Sequence, residues 1–211
     1  MDPFIPPISG ELSGYKFGPL IPLGDLVFAR KESVDPVSLS ADLIDYIGLE
    51  NIESNSGRII GSTLVDPRSI KSRTKVFCKG DVLFSRLRPN LNKIAHVSDI
   101  DTGICSGEIY TLTPKASISG LALSFLLRLP FVRAASERLV AGATLPRLDL
   151  DKVLGLKIPN IPSAILGRLH QSLQLILPKY NAIRAIADTL YGDMEGDVLD
   201  WVEHTENSRC V

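Results

Sequence analysis

The sequence predicts an α+β fold: a mixed or antiparallel β-sheet domain followed by a long helix of coiled-coil type. Two observations carry this. In the first half of the chain the apolar runs are short, strand-length and bounded by turn formers, as in Val82–Phe84, Ile94–Val97 and Gly103–Leu112. Near the C-terminus, Leu166, Leu169, Leu173, Ile176, Tyr180, Ile183, Ala187 and Leu190 recur at alternating spacings of three and four, an a/d heptad seam. A chain of 211 residues accommodates one good-sized domain with an appendage. The division that follows is a domain over 1–160, then a dimerisation or spacer helix with an acidic tail over 161–211.

Taken in order, residues 1–22 carry Pro3, Pro6, Pro7, Pro19 and Pro22 with Gly10, Gly14 and Gly18, and read as an extended arm rather than a helix or a signal sequence. Leu23–Val27 suits a short helix after Pro22. Ile44–Ile52 mixes apolar and polar residues at strand period and runs into the turn-like Asn55-Ser56-Gly57. Ser69–Lys75 is polar and basic and leads into Val76-Phe77-Cys78. The turn Lys79-Gly80-Asp81 feeds a strand at Val82, and a second strand at Ile94 follows a loop stiffened by Pro89. Gly103–Leu112 alternates as a strand pair or one bulged strand, closed by Pro114. Ser119 is a helix N-cap for Gly120–Arg128, and Pro130 opens a second helix to about Val140. Ser163 caps the seam helix, predicted over about 163–191. Pro178 falls mid-seam without a phase break, which predicts a kink.

The charge is unevenly placed. Residues 1–57 have a balance of −6, whereas 58–93 have nine Lys or Arg against two Asp or Glu, a balance of +7. Such a block attracts phosphates by counterion release, so nucleic acid is the natural partner. Within it, Arg68, Lys71, Arg73 and Lys75 lack apolar interleaving and are expected to touch phosphates. The loop Arg86–Lys93 offers base readers instead: Arg86, Arg88, Asn90 and Lys93, supplemented by Thr144 and Arg147 from a second loop. Arg pairs bidentately with guanine and Asn with adenine in the major groove. Arg86 adjoins a strand end, where a structural ion pair is the competing role.

Catalytic signatures are missing from the sequence. There is no Gly-rich cofactor loop, Asn/Asp-Pro-Pro-aromatic motif, Gly-x-Ser-x-Gly elbow, phosphate loop or His-Glu-x-x-His. No catalytic residue and no cofactor are assigned. Cys78, Cys105 and Cys210 are odd in number and far apart, and the three histidines are scattered, so no metal site is expected and a reducing cytoplasm fits. No apolar run approaches the ~18 residues of a membrane span.

Gly80-Asp81-Val82-Leu83-Phe84-Ser85-Arg86 followed by Lys93-Ile94-Ala95-His96-Val97 resembles the central segment of the target recognition domain in specificity subunits of type I restriction–modification systems. Gly142–Leu150 and Leu154–Pro159 match a second anchor in that family, a Gly-small-Thr loop, a helix cap and a strand ending in Ile-Pro. The resemblance covers roughly residues 20–190. It implies a non-catalytic DNA-binding subunit that directs a methyltransferase subunit and a restriction subunit to a bipartite target. Two departures stand out. The family carries two recognition domains and two helices, and this chain has one of each. The segment after Ile158-Pro159 also lacks the family's acidic–Gln pair.

A half-length subunit that pairs through its seam as a homodimer follows from these readings. Two alternatives remain: a detached recognition domain serving a fused methyltransferase–endonuclease, and a protein-interaction module for an acidic partner.

Overall fold

The computed structural model describes residues 19–30, 33–140 and 146–207, with side chains as far as Leu190 and at Met194. It divides into two units, one ending at His170 and one beginning at Gln171.

The first unit is layered. One sheet has the order β2 (Val27–Ala29), β9 (Ile109–Pro114), β6 (Val82–Ser85), β7 (Ile94–His96), antiparallel throughout. A second has the order β4 (Thr63–Val65), β3 (Ile44–Ile47), β8 (Thr102–Ser106), β5 (Thr74–Cys78), in which β3 and β8 run parallel. A short ribbon joins β1 (Leu20–Pro22) to β10 (Lys157–Pro159). Helices α1 (Gly120–Leu127), α2 (Pro130–Arg138) and α3 (Leu150–Leu154) complete the unit.

Strand β6 shows why its apolar run is unbroken. Val82 and Phe84 enter a cluster with Leu123, Leu126, Leu127 and Val132 of α1 and α2. Leu83 points the other way, into a cluster with Ile47, Phe77, Cys105 and Ile109 between the two sheets. A strand covered on both faces has no solvent side, so it loses polar alternation. Its neighbours divide likewise, with Ile94 on the helical side and Ala95 on the sheet side. Gly103 lets β8 approach closely: a Cβ there would stand 2.5 Å from Phe77 Cζ and 2.6 Å from the Asp45 carbonyl.

The turn ahead of β6 is organised by Asp81, which is 2% exposed. Its carboxylate accepts from the Cys78 amide at 2.8 Å, Thr113 Oγ1 at 2.7 Å and Arg30 Nε at 3.3 Å. Gly80 beside it has φ +93°, a conformation that resists a side chain. The Gly-Asp-Val signature is therefore a structural joint that binds strands β5, β6 and β9.

Several expectations need revision. The strand expected over Ile44–Ile52 ends at Ile47, and Ile52 makes an isolated bridge to Ile59. Leu23–Asp25 forms a 3-10 turn, followed by a strand instead of further helix. The segment 103–112 is neither a hairpin nor one bulged strand, since β8 and β9 belong to different sheets. The last residues of the expected arm, Leu20–Pro22, are a strand, because they close onto the Ile-Pro segment. Ser119 does cap α1, accepting from the Ala122 amide at 3.2 Å.

Helix α4 spans Ser163–Asn207 and contains Pro178 without interruption. It runs past the seam predicted over 163–191, through the acidic tail to Asn207. Its first two seam residues pack in the first unit: Leu166 belongs to the helical-side core and Leu169 packs against it. Beyond Gln171, Leu175, Ile176, Ile183, Ile186, Leu190 and Met194 are all more than half exposed. At 3.6 residues per turn these six fall within an arc of about 100°.

Candidate nucleic-acid interface

The registers bring distant segments to one end of the two sheets. Thr74, which opens β5, pairs with Ser106, which closes β8. Ser85, which closes β6, pairs with Ile109, which opens β9. Arg73, Arg86 and the turn Gly107-Glu108 therefore emerge together. Residues 146–149 run alongside, because the Leu148 amide donates to the Arg86 carbonyl at 2.9 Å and Leu87 bridges Arg147. The central loop and the end of the second loop, which the sequence places far apart, form one edge.

Within the central loop, Pro89–Leu91 form a 3-10 turn bracketed by Arg88 at φ +48° and Asn92 at φ +51°. Asn tolerates the left-handed region, but Arg is seldom found there, and such strain gathers at functional sites. Pro89 and Asn92 are buried, and Asn92 Nδ2 donates to the Arg128 carbonyl at 3.1 Å. Arg88 and Asn90 are left exposed between these anchors. Among the described readers these two are exposed, whereas Arg86, Lys93 and Arg147 are half-buried. Lys93 is turned inward, its Nζ donating to the Leu49 carbonyl at 2.6 Å. Its position there is set by the segment around Leu49, a contact with no local sequence signal.

Arg86 and Arg147 are engaged with charge. Arg147 grips Glu108 side-on, with Nη2 to Oε1 at 2.8 Å and Nε to Oε2 at 3.0 Å. The pair holds the Glu108 carboxyl below its usual range and raises the Arg147 guanidinium, chiefly through these hydrogen bonds. Arg86 lies 4.0 Å from Glu108 and 3.9 Å from Asp149, and stacks over Tyr110 at 5.4 Å. Lys75 lies over the same ring at 4.6 Å. Burial lowers the Lys75 pKa, with the neighbouring Arg86 acting in the same sense. Tyr110 itself donates to the Leu148 carbonyl at 3.0 Å.

The four residues expected on phosphates are treated differently by the fold. Lys71 and Arg73 are exposed, and Arg73 also donates to the Ser33 carbonyl. Arg68 is exposed but paired with Asp66 at 2.8 Å, with Asp42 at 4.0 Å. Lys75 is buried against Tyr110, a correction to its expected role as a surface phosphate contact, because strand β5 directs it inward. Thr144 lies outside the described residues. Sequence reasoning missed Glu108 and Tyr110. Both fall past the basic block, and neither residue type signals DNA by itself.

Among the described residues no group of His, Cys, Asp and Glu could hold a metal ion, and no helix is long and apolar enough to cross a membrane.

No family profile and no curated protein matches the chain. Solved structures do. The HsdS subunit from Thermoanaerobacter tengcongensis is similar at 24% identity and a TM-score of 0.68, over 83% of this chain and 46% of that one. A chain from a structure described as the basis of complex assembly and conformational transition of the type I R-M system is similar at 26% identity and a TM-score of 0.63. That match covers 82% of this chain and 47% of the other. This chain thus spans about half the length of the solved chains it matches. Its sheets, its terminal helix and these likenesses together give it the fold of a type I restriction–modification specificity subunit, with one target recognition domain.

Proposed function

We propose that this chain is a DNA-binding specificity subunit that reads one half of a split target and directs a partner adenine methyltransferase and a restriction subunit to it. The observation that carries this is the recognition edge: Arg88 and Asn90 stand exposed on a strained loop, on a fold shared with specificity subunits. Arg88 is suited to a guanine edge and Asn90 to an adenine edge in a major groove. Lys71 and Arg73 are suited to phosphates.

A two-part target requires two recognition domains, and the helix supplies a means of pairing. The exposed apolar stripe from Leu175 to Met194 is the side that a second copy would cover. Charge favours an antiparallel arrangement. From residue 163 to 185 the helix has Arg168, Lys179 and Arg184 and no acid, whereas 186–207 holds Asp188, Asp193, Glu195, Asp197, Asp200, Glu203 and Glu206 and no Lys or Arg. Antiparallel copies set each acidic half against a basic one. A closed two-fold pair then reads an inverted repeat.

The test has two parts. Binding of the full chain to random duplex DNA should weaken steeply with salt, and methylome sequencing of a host carrying the gene with a methyltransferase should show an inverted-repeat mark. Salt-insensitive or undetectable DNA binding would remove the reading. A mark whose halves are unrelated would retain DNA recognition but replace self-pairing with a second, different half-subunit.

A further inference from the structure

Glu108 is an acid at an edge suited to a polyanion, which calls for a physical reason. It sits on the turn between β8 and β9 and takes Arg147 side-on through Nε and Nη2. A guanidinium has five N–H donors in a planar fork. A side-on carboxylate uses Nε and one proton of Nη2, leaving the end-on pair from Nη1 and Nη2 unused, and no other acceptor engages Arg147 among the described residues. The plane of the fork is fixed by these bonds, its end-on pair has no acceptor among the described residues, and the side chain is 39% exposed, a geometry suited to a bidentate base contact. Glu108 also stands 4.0 Å from Arg86, whose buried Nε has no hydrogen-bond partner. The Glu108 charge thereby offsets the field of Arg147, which would otherwise attract any phosphate, while Arg86 keeps Asp149 as a second anion at 3.9 Å.

We propose that Glu108 is a specificity-determining positioning residue: it holds the plane of the Arg147 fork and withholds Arg147 from indiscriminate phosphate binding. This rests on the DNA-reading function proposed above. In free protein the carboxylate satisfies Arg147. On DNA the same carboxylate stays, and the open end of the fork meets a base edge.

The experiment compares the full-length wild type with Glu108→Gln, Arg147→Gln, the double variant and Glu108→Asp. A pool of random-sequence duplexes is bound across a salt series, then the bound fraction is sequenced after one round. Glu108→Gln should steepen the log–log salt slope by about 0.9, since Arg147 becomes free to take one phosphate. From a common affinity at 1 M salt that equals about eightfold tighter random binding near ~0.1 M. Sequence enrichment should fall in the same variant. In the double variant both changes in salt behaviour should vanish, because the released cation is gone. Glu108→Asp keeps the charge but shortens the side chain, so the slope should stay as in wild type while enrichment falls.

An unchanged slope and enrichment in Glu108→Gln overturns the proposal, as does a steepened slope that persists without Arg147. Should Glu108→Gln fail to fold, wild-type enrichment by Glu108→Asp overturns it instead. A wild type without salt-dependent duplex binding removes the DNA-reading function itself, a result separate from any of these.

Discussion

The main-chain amide of Arg88 donates to the carbonyl of Pro146 at 3.0 Å, so the two loops of the recognition edge are joined by backbone at the most strained residue of the central loop. A left-handed conformation costs a non-glycine residue about 1–2 kcal/mol. Arg88→Gly removes that strain but adds freedom to the unfolded chain, and the two effects offset. Its stability should lie within about 1 kcal/mol of wild type by urea unfolding. Discrimination should nonetheless fall by ~1–3 kcal/mol at one base position, read by binding to a panel of single-base variants. Lost discrimination at preserved stability separates a reader from a scaffold residue.

Phosphate contacts follow exposure and pairing. Lys71→Ala and Arg73→Ala should each flatten the salt slope by about 0.9, whereas Arg68→Ala should change it less, since Asp66 and Asp42 already face that guanidinium. Fluorescence anisotropy over a salt series gives the slopes. Equal effects from all three would mean that Asp66 releases Arg68 on binding.

Asp81 should matter to stability more than any charge on the recognition edge. Removing its carboxylate strands the Cys78 amide, the Thr113 hydroxyl and the Arg30 guanidinium at once. Asp81→Ala should cost about 3 kcal/mol in urea unfolding. A change below 1 kcal/mol, on the order of a lone surface pair, would contradict the joint described here.

Acid should loosen the first unit through His96. Burial lowers its pKa, the nearby His170 adds to that effect, and Asp99 and Asp81 act against it. With the folded value below the unfolded one, near 6.5, the unfolded state binds the proton first. Stability is therefore full above about pH 6.5 and is lost as pH falls towards the lowered value. The melting temperature should drop between pH 7 and pH 5, and His96→Gln should flatten that profile. A steeper acid loss in His96→Gln would mean that protonated His96 stabilises the fold.

The helix separates two kinds of substitution. Leu166→Glu places a charge in the domain core and should lower stability by several kcal/mol, with the loss of DNA binding following from unfolding. Ile183→Glu with Leu190→Glu alters only exposed positions of the stripe. That variant should fold normally, sediment as a monomer at micromolar concentration and bind a two-part target weakly. A monomeric wild type would remove the paired assembly.

Much of this was legible in the sequence where the signal was local. The β6–β7 pair, the Ser119 cap and the seam helix rest on short-range pattern. What escaped was set by pairing across the chain. Thr63–Val65 carries no strong alternation and becomes a strand because β3 offers it an edge. Lys75 sits in a basic run, yet strand parity turns it onto Tyr110. Leu166 and Leu169 fit the heptad as well as Ile176 does, but the domain core takes them first. At the site, Arg88 and Asn90 were visible as residue types, while Glu108 became meaningful only when Arg147 was found beside it.

Strands β1 and β10 pair through Leu20↔Pro159, and the Asn160 amide donates to the Pro19 carbonyl at 2.8 Å. The first and last strands of the described recognition unit thus lie side by side, forming a single doorway. A unit with one doorway can be exchanged together with the first turns of α4, because Leu166 belongs to its core and Leu169 packs against it. Such a unit is a cartridge: its reading edge can be exchanged as a whole while the mounting stays the same.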